Sequence, residues 1–590
     1  MRSLSMSALA WGCLSSLAAA APQSALQSCG STEEAAATLQ DICSAAYIQP
    51  ALPDGVLQGI TINASSVSAQ LVSNFSASSI FYPSGTFDYC NVTFAYSHNG
   101  LYNDIVHVSY WLPAPSNFSN RYVSTGGGGY AINTGPSMLP TGIMVGAVSG
   151  VTDGGFGSFG TTWDQVVLLA NGTLNWEAVY MMGYQAHHEL VVLGKQLTRN
   201  LYNVSDDETV YSYYQGCSEG GREGWSQVQR YTDFDGVAAG APAFRYGQQQ
   251  VNHLYENLVV LNYSHYPSAC ELNTIVDLMI ASCDPLDGRT DGVISRSDLC
   301  LAAFDASSTI GTPYNCPSSY NTGANGALQV GWVPDTNGTI SAETAEVVTA
   351  FLQGLHDSQG RRAYLSYQPG AGFGDAQVEY DNATQSYQMV PSSLGGEWVG
   401  KFLMLRDEET LPNLDNVTVD TLVEWMAWGM DRYYDSLQTT QPDLSKFRDA
   451  GSKVIHFHGE QDSSIPTASS VHYWDSVRRI MYPGMGYNES AAAVDDFYRL
   501  FLIPGAAHCS LNDMQPNGTW PQTTLQTLIS WVEDGVAPDT LSSTGSINTL
   551  CRYPLRPLWT NNGTDFECVY SQESIDSFTY TFDAFLTPIF

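Results

Sequence analysis

Hydrophobic and polar residues alternate in strand fashion over residues 91–114. Val92, Phe94 and Tyr96 share one face, and Val106, Val108, Tyr110 and Leu112 repeat the pattern after a polar stretch at 97–103. A period of two with a turn between the runs predicts an N-terminal β-hairpin. Tyr122-Val123-Ser124 then runs into Gly126, Gly127, Gly128 and Gly129, and the apolar run 142–148 reads as another short strand. From there strands alternate with helical stretches, the pattern of a mostly parallel sheet with helices on both faces. No internal repeat of solenoid or propeller length is present.

After Gly240-Ala241-Pro242-Ala243-Phe244 the pattern changes to cysteines, polar loops rich in glycine, asparagine and serine, and scattered helices such as 342–356. Strand-like runs return at 453–458 and 497–503. The expected fold class is α/β, with a first core part at 22–244, one large inserted domain at 245–431 set over the strand ends as a lid, and a second core part at 432–590. The aromatic and polar tail from Cys551 onward is expected to form a closing flap.

The amino terminus reads Met1-Arg2, then an apolar run over 4–17, then Ala18-Ala19-Ala20-Ala21-Pro22. This predicts a secretory signal peptide over 1–21, cut near Ala20 or Ala21, and so an exported chain. Beyond it no run of about twenty apolar residues suggests a membrane span. Twelve cysteines less Cys13 of the signal leave eleven, more readily paired than free in an oxidising compartment. Thirteen N-x-S/T sequons fit a glycosylated surface. A formal charge of −36 excludes nucleic acid and anionic membrane as partners, since both demand a basic footprint.

The candidate chemistry centres on Gly216-Cys217-Ser218-Glu219-Gly220. It lies between a β-branched and aromatic run (209–214) and a helix-like stretch (222–231), the strand, sharp turn and helix of a nucleophile elbow. A serine nucleophile needs a base and the base an orienter. Asp462 follows the strand-like run 453–458, and His508 follows the run 497–503, which gives the order Ser218, Asp462, His508 of α/β-hydrolases. Glu460, two residues from Asp462, is the rival acid. The backbone N–H of Glu219 is one candidate oxyanion donor and that of Gly128 a second, against the alternative that the four glycines form a plain flexible turn. Cys217 flanks the serine and Cys509 the histidine, and a disulfide between them would hold nucleophile and base together.

A second constellation, Asp284-Pro285-Leu286-Asp287-Gly288-Arg289-Thr290-Asp291-Gly292-Val293, places three carboxylates and two glycines in one turning segment. Hard oxygen ligands there suit Ca²⁺, with the carbonyls of Arg289 and Val293 completing the shell; a metal-free Asp/Gly turn is the alternative. His187-His188-Glu189 lacks metalloprotease spacing and reads as a helix surface feature.

On these residues the chain resembles the tannase and feruloyl esterase family of serine hydrolases. The paired Cys-Ser and His-Cys flanks around an intervening Asp carry the resemblance, with Gly220-Gly221-Arg222-Glu223-Gly224, the stretch 283–296, Asp435-Ser436-Leu437-Gln438-Thr439-Thr440 and Val471-His472-Tyr473-Trp474. It implies an α/β-hydrolase core with an inserted lid, no organic cofactor, and hydrolysis of small phenolic esters. Galloyl esters are expected as substrates, with feruloyl or chlorogenate esters as the alternative. It further implies that Ser218 is nucleophile, Asp462 orienter and His508 base, and that Asp284, Asp287, Arg289, Asp291 and Val293 hold a structural calcium. The pairings it implies are Cys43 with Cys90, Cys217 with Cys509, Cys283 with Cys300 and Cys551 with Cys568, which leaves Cys270 with Cys316. Cys29 is extra. The family usually has Asp where Glu219 stands, which puts any role of that side chain in doubt. A catalytically silent hydrolase fold used for binding is the reading from another class.

Overall fold

The structure, a computed structural model, describes residues 37–321 and 331–590; the expected signal peptide and Cys29 lie outside the described residues. Its centre is a sheet of nine strands: β1 (Ile60–Ser79), β2 (Tyr82–His98), β3 (Val106–Leu112), β4 (Arg121–Thr125), β5 (Ala147–Thr152), β6 (Tyr211–Cys217), β7 (Gly236–Gly240), β8 (Lys453–Gly459) and β9 (Tyr498–Ile503). Across the sheet they run β1-β2-β3-β5-β4-β6-β7-β8-β9. The first three neighbouring pairs are antiparallel and the remaining five parallel. This is an α/β-hydrolase sheet.

Adjacent residues of the parallel strands enter separate cores, which is why these strands read as apolar runs rather than as alternations. Tyr213, Ile455 and Phe501 face Leu525, Leu528 and Trp531 of the helix Thr524–Glu533. Tyr214, Val454 and Leu500 face the opposite side with Leu190 and Trp225, which belong to the helices Ala186–Leu201 and Glu219–Arg230.

The hairpin expected at 91–114 is β2 and β3, in register from Cys90 opposite Leu112 to Tyr96 opposite Val106. The sequence pattern missed β1. Its 20 residues are rich in serine and asparagine, and register shifts at Asn63/Ser68, Val72/Phe75 and Ala77/Ser79 break its period of two. The run 142–148 is not one strand. Pro140 sits in the first turn of a short helix, Pro140–Met144, where its fixed φ suits a helix start, and Gly146 at φ 71° turns the chain into β5.

The described residues of 241–452 add no strand to the sheet. They hold the helices Tyr246–Asn252, Tyr255–Tyr263, Ala269–Cys283, Ala342–Gln353 and Val419–Arg432, with small hairpins between. Their starts follow ordinary capping: Ser268, Ser341 and Thr418 each accept the N–H three residues on. Gly247 and Gly429 let two of these helices touch backbone to backbone, since a Cβ on Gly247 would lie 2.5 Å from the Gly429 carbonyl carbon.

The tail does not form a flap over the cleft described below. Its hairpin, Leu555–Thr560 with Asp565–Tyr570, packs on the aspartate turn, where the Arg289 guanidinium lies 4.4 Å from the Trp559 ring centre. Farther on, His472 Nε2 donates to the Ile589 carbonyl at 2.8 Å. Among the described residues there are five disulfides: Cys43–Cys90, Cys217–Cys509, Cys270–Cys316, Cys283–Cys300 and Cys551–Cys568.

Candidate active site

The end of β6 and the start of the following helix force Ser218 into φ 65°, ψ −124°, a conformation that costs on the order of 1–3 kcal/mol for a non-glycine residue. Its N–H, bonded to the Gly240 carbonyl at 3.0 Å, helps hold it there. The flanking glycines are required by close approach: a Cβ on Gly216 would lie 2.6 Å from the Gly220 carbonyl oxygen, and one on Gly220 2.8 Å from that of Gly127. The motif is thus a backbone contact as much as a chemical signature.

His508 Nε2 lies 2.8 Å from Ser218 Oγ, and His508 Nδ1 lies 2.7 Å from Asp462 Oδ2. The second oxygen, Asp462 Oδ1, accepts the backbone N–H groups of Ser464 and Ile465, each at 2.8 Å. Asp462 is fully buried, whereas the His508 side chain keeps about a quarter of its surface open to the cleft. Burial by itself would raise the Asp462 pKa, but the facing His508 charge and the hydrogen bonds from His458 and His508 outweigh it and hold the carboxyl well below its usual range. Burial likewise disfavours charge on His508, and the Asp462 carboxylate reverses that and raises the imidazole above its ordinary value.

Glu460 is turned away from the histidine. Its Oε2 accepts from Ser297 Oγ at 2.5 Å and from Arg556 at 2.6 Å, inside the core. Geometry therefore gives the orienting position to Asp462. Cys217 is bonded to Cys509, which leaves it no free thiol beside Ser218 and ties residues 292 apart in sequence across the site.

The oxyanion assignment needs a correction. The N–H of Gly128 donates to the Ala131 carbonyl at 3.0 Å, with the reverse bond at the same distance, so a tight turn consumes the proposed donor. Gly127 N–H is also engaged, at 2.8 Å from Glu223 Oε2. The Glu219 N–H, in the first turn of its helix, has no intrahelical acceptor. The Glu219 side chain is committed elsewhere, in a buried ion pair with Arg222, whose Nε lies 2.8 and 2.9 Å from the two carboxylate oxygens.

His187-His188-Glu189 is not a surface feature. His187 and Glu189 are buried; the former lies 3.0 Å from Glu223 Oε2, and the latter accepts from Tyr96 and His98. Glu223, on the helix behind the serine, thus joins the glycine loop to His187 of the helix Ala186–Leu201, a role its place in a polar helical run did not reveal.

Beside His508 lies a cleft of about 810 Å³. Its lining joins His508 and Ser464 to His253, Asp375, Gln377 and Ser392 from residues 241–452. Asp375 gathers hydrogen bonds from His253 Nδ1 at 2.8 Å, Ser392 Oγ at 3.0 Å and Tyr367 Oη at 3.1 Å. These residues are scattered in sequence and carry no motif.

In the aspartate turn, Asp284 accepts the N–H groups of Asp291 and Gly292 at 3.0 and 2.9 Å, and Asp287 accepts that of Arg289 at 2.9 Å. Asp287 Oδ2 and Asp291 Oδ1 are buried without a hydrogen-bond partner. Burial, with the neighbouring Asp291 and Asp284 charges, pushes Asp287 up to about 6. Among the described residues no three His, Cys, Asp or Glu side chains form a metal-binding group by themselves. A cation here therefore requires carbonyl oxygens as well, as the Arg289 and Val293 assignments suppose.

Residues 90–575 match the model of the family described as tannase and feruloyl esterase. The chain is 45% identical over 579 residues to a tannase from Aspergillus oryzae, covering 94% of this chain and 97% of that protein. Among solved structures it matches the tannin acyl hydrolase from Aspergillus niger at TM-score 0.90 and 52% identity, over 94% of this chain and 99% of the other. Feruloyl esterase B from Aspergillus oryzae matches at TM-score 0.66 and 26% identity, over 88% and 100% respectively.

Proposed function

Since the chain belongs to the tannase and feruloyl esterase family and is a carboxylic ester hydrolase, we propose that it releases gallate from galloyl esters through an acyl-enzyme on Ser218. The near full-length similarity to two tannases, well above that to the feruloyl esterase structure, carries this reading. His508 Nε2 takes the Ser218 proton as Oγ attacks the ester carbonyl, and the Asp462 carboxylate stabilises the imidazolium that forms. The tetrahedral oxyanion faces the Glu219 N–H. Collapse expels the alcohol, which receives the proton from His508, and water then repeats the sequence to free the acid.

Substrate choice is testable. A galloyl ring presents three adjacent hydroxyls, whereas a feruloyl ring has one hydroxyl, a methoxy group and a longer spacer. The polar lining around Asp375 and Ser392 suits the former, and a site built to hydrogen-bond hydroxyls penalises their loss strongly. Steady-state assays should give kcat/KM for methyl gallate at least ~10²-fold above methyl ferulate. Equal or reversed values would assign the enzyme to hydroxycinnamate esters.

The aspartate turn is a structural calcium site in this reading, held by Asp284, Asp287 and Asp291 with the Arg289 and Val293 carbonyls. The two orphaned carboxylate oxygens and the crowding of charge at Asp287 support it. Bound calcium would neutralise that charge and tie Cys283–Cys300 to the tail hairpin. A metal bound only by the folded state stabilises it by mass action. Chelation should therefore lower Tm while the initial rate changes little, and elemental analysis of the purified protein should find calcium; a metal-free protein with unchanged Tm would refute the site.

The protein is exported in the same reading. The five disulfides suit an oxidising compartment. Of the thirteen sequon asparagines, twelve are exposed and Asn91 is half-buried, so all but one offer a clear surface for glycans. No described helix is long and apolar enough to cross a membrane.

A further inference from the structure

A buried chain of hydrogen bonds leads away from the triad through Asp462 Oδ2, the same oxygen that faces His508. Asp462 Oδ2 lies 3.1 Å from His458 Nε2, and His458 Nδ1 lies 2.6 Å from Ser470 Oγ. Ser470 Oγ lies 2.7 Å from His456 Nε2, and His456 Nδ1 lies 2.8 Å from Tyr498 Oη. All five residues are fully buried. His456 and His458 occupy alternate positions of β8 and so share one face of the sheet, Ser470 comes from the helix Ala468–Met481, and Tyr498 opens β9. Trp225 of the helix behind the nucleophile packs edge-on to His456 and Tyr498, with ring centres 5.4 and 4.8 Å apart.

Donor and acceptor roles follow from one end. An ionised Asp462 only accepts, as does the Ile465 carbonyl 3.0 Å from the same nitrogen, so His458 carries its proton on Nε2. Its Nδ1 then accepts from the Ser470 hydroxyl, Ser470 accepts from His456 Nε2, and His456 Nδ1 accepts from Tyr498. These tautomers are assigned from the network. Burial holds the His456 pKa well below its ordinary value, consistent with a neutral ring. Every donated proton in the chain points toward the carboxylate, an arrangement in which each bond polarises the next.

We propose that Tyr498, His456, Ser470 and His458 form a polarised relay that orients Asp462 and keeps it ionised, and that His458 is its positioning residue. The inference rests on the serine esterase reading of Ser218, His508 and Asp462. The titratable side chains facing Asp462 are His508 and His458; Glu460, nearby in sequence, is paired with Arg556.

The test is a set of variants assayed on methyl gallate across pH. His458→Leu removes the donor, His458→Gln restores an N–H where Nε2 stood, and Ser470→Ala cuts the link between the two histidines. A carboxylate stripped of a donor holds the His508 proton more tightly, so the acid limb of kcat/KM moves to higher pH. We expect His458→Leu to lose at least about 10-fold in kcat with KM within about twofold, and Ser470→Ala to move both quantities less in the same direction. His458→Gln recovers most of the rate. Wild-type kcat and acid limb in His458→Leu would overturn the relay, as would equal losses in the Leu and Gln variants with an unmoved limb, which would mark a packing role. If His458→Leu does not fold, Ser470→Ala decides, and a wild-type profile there overturns the relay. Ser218→Ala run alongside separates the two levels, because turnover in that variant would refute the underlying reading instead.

Discussion

Ser218→Ala is expected to abolish ester turnover while leaving the fold and substrate binding intact. The hydroxyl makes one hydrogen bond, to His508 at 2.8 Å, and the strained backbone beneath it is held by the Gly240 carbonyl and by packed glycines that the substitution does not touch. What is lost is the covalent intermediate. Without it the oxyanion donor and substrate positioning leave only a residual rate, and in serine hydrolases loss of the nucleophile typically removes about 10⁶ of kcat. Measured Tm and affinity for an unreactive gallamide should match the wild type. Near wild-type turnover would end the serine esterase assignment.

The second large effect is at Asp462. Asp462→Asn keeps size and shape but removes the charge that fixes the His508 tautomer, and a loss of roughly 10⁴ in kcat is the expected scale. The acid limb should move as well. Burial opposes a proton on His508 and Asp462 draws it there, for a net rise. Removing the carboxylate lowers that affinity, so the remaining activity should persist to lower pH. Glu460→Gln is the contrast: its carboxylate pairs with buried Arg556, so the variant should lose stability, while its kcat falls far less. The opposite ranking of the two variants would move the orienting role to Glu460.

These effects also show what was legible in the chain. The triad could be read because each member sits where a strand ends, and strand ends are marked by apolar runs followed by a break. The glycines around Ser218 and at 126–129 announce backbone contact, yet the sequence cannot say which N–H remains free; the turn from Gly128 to Ala131 uses the one that was expected to serve. β1 was invisible because its bulges and serines erase the alternation. The burial of His187 and Glu189 was misread because a polar triplet on a helix is ordinarily solvated, and only the tertiary partners Glu223, Tyr96 and His98 explain it. His458 carried no signal at all: a histidine inside a strand acquires a role only when Asp462 folds back four residues later to meet it.

The disulfide Cys217–Cys509 joins both halves of the site. It fixes the residues flanking nucleophile and base with their Cα atoms 6.1 Å apart. On the chain-entropy model so long a loop adds on the order of 5 kcal/mol of stability, an upper value in practice. Its catalytic benefit is positional, since small displacements of reacting groups are expensive.

The most direct test of the account is to inactivate the enzyme with an alkyl fluorophosphonate, which phosphonylates activated serine nucleophiles, and to map the adduct by peptide mass spectrometry. One adduct per chain is expected, on Ser218, formed in step with loss of methyl gallate hydrolysis and blocked by Ser218→Ala. An adduct on another residue, or full activity with Ser218 modified, would contradict it.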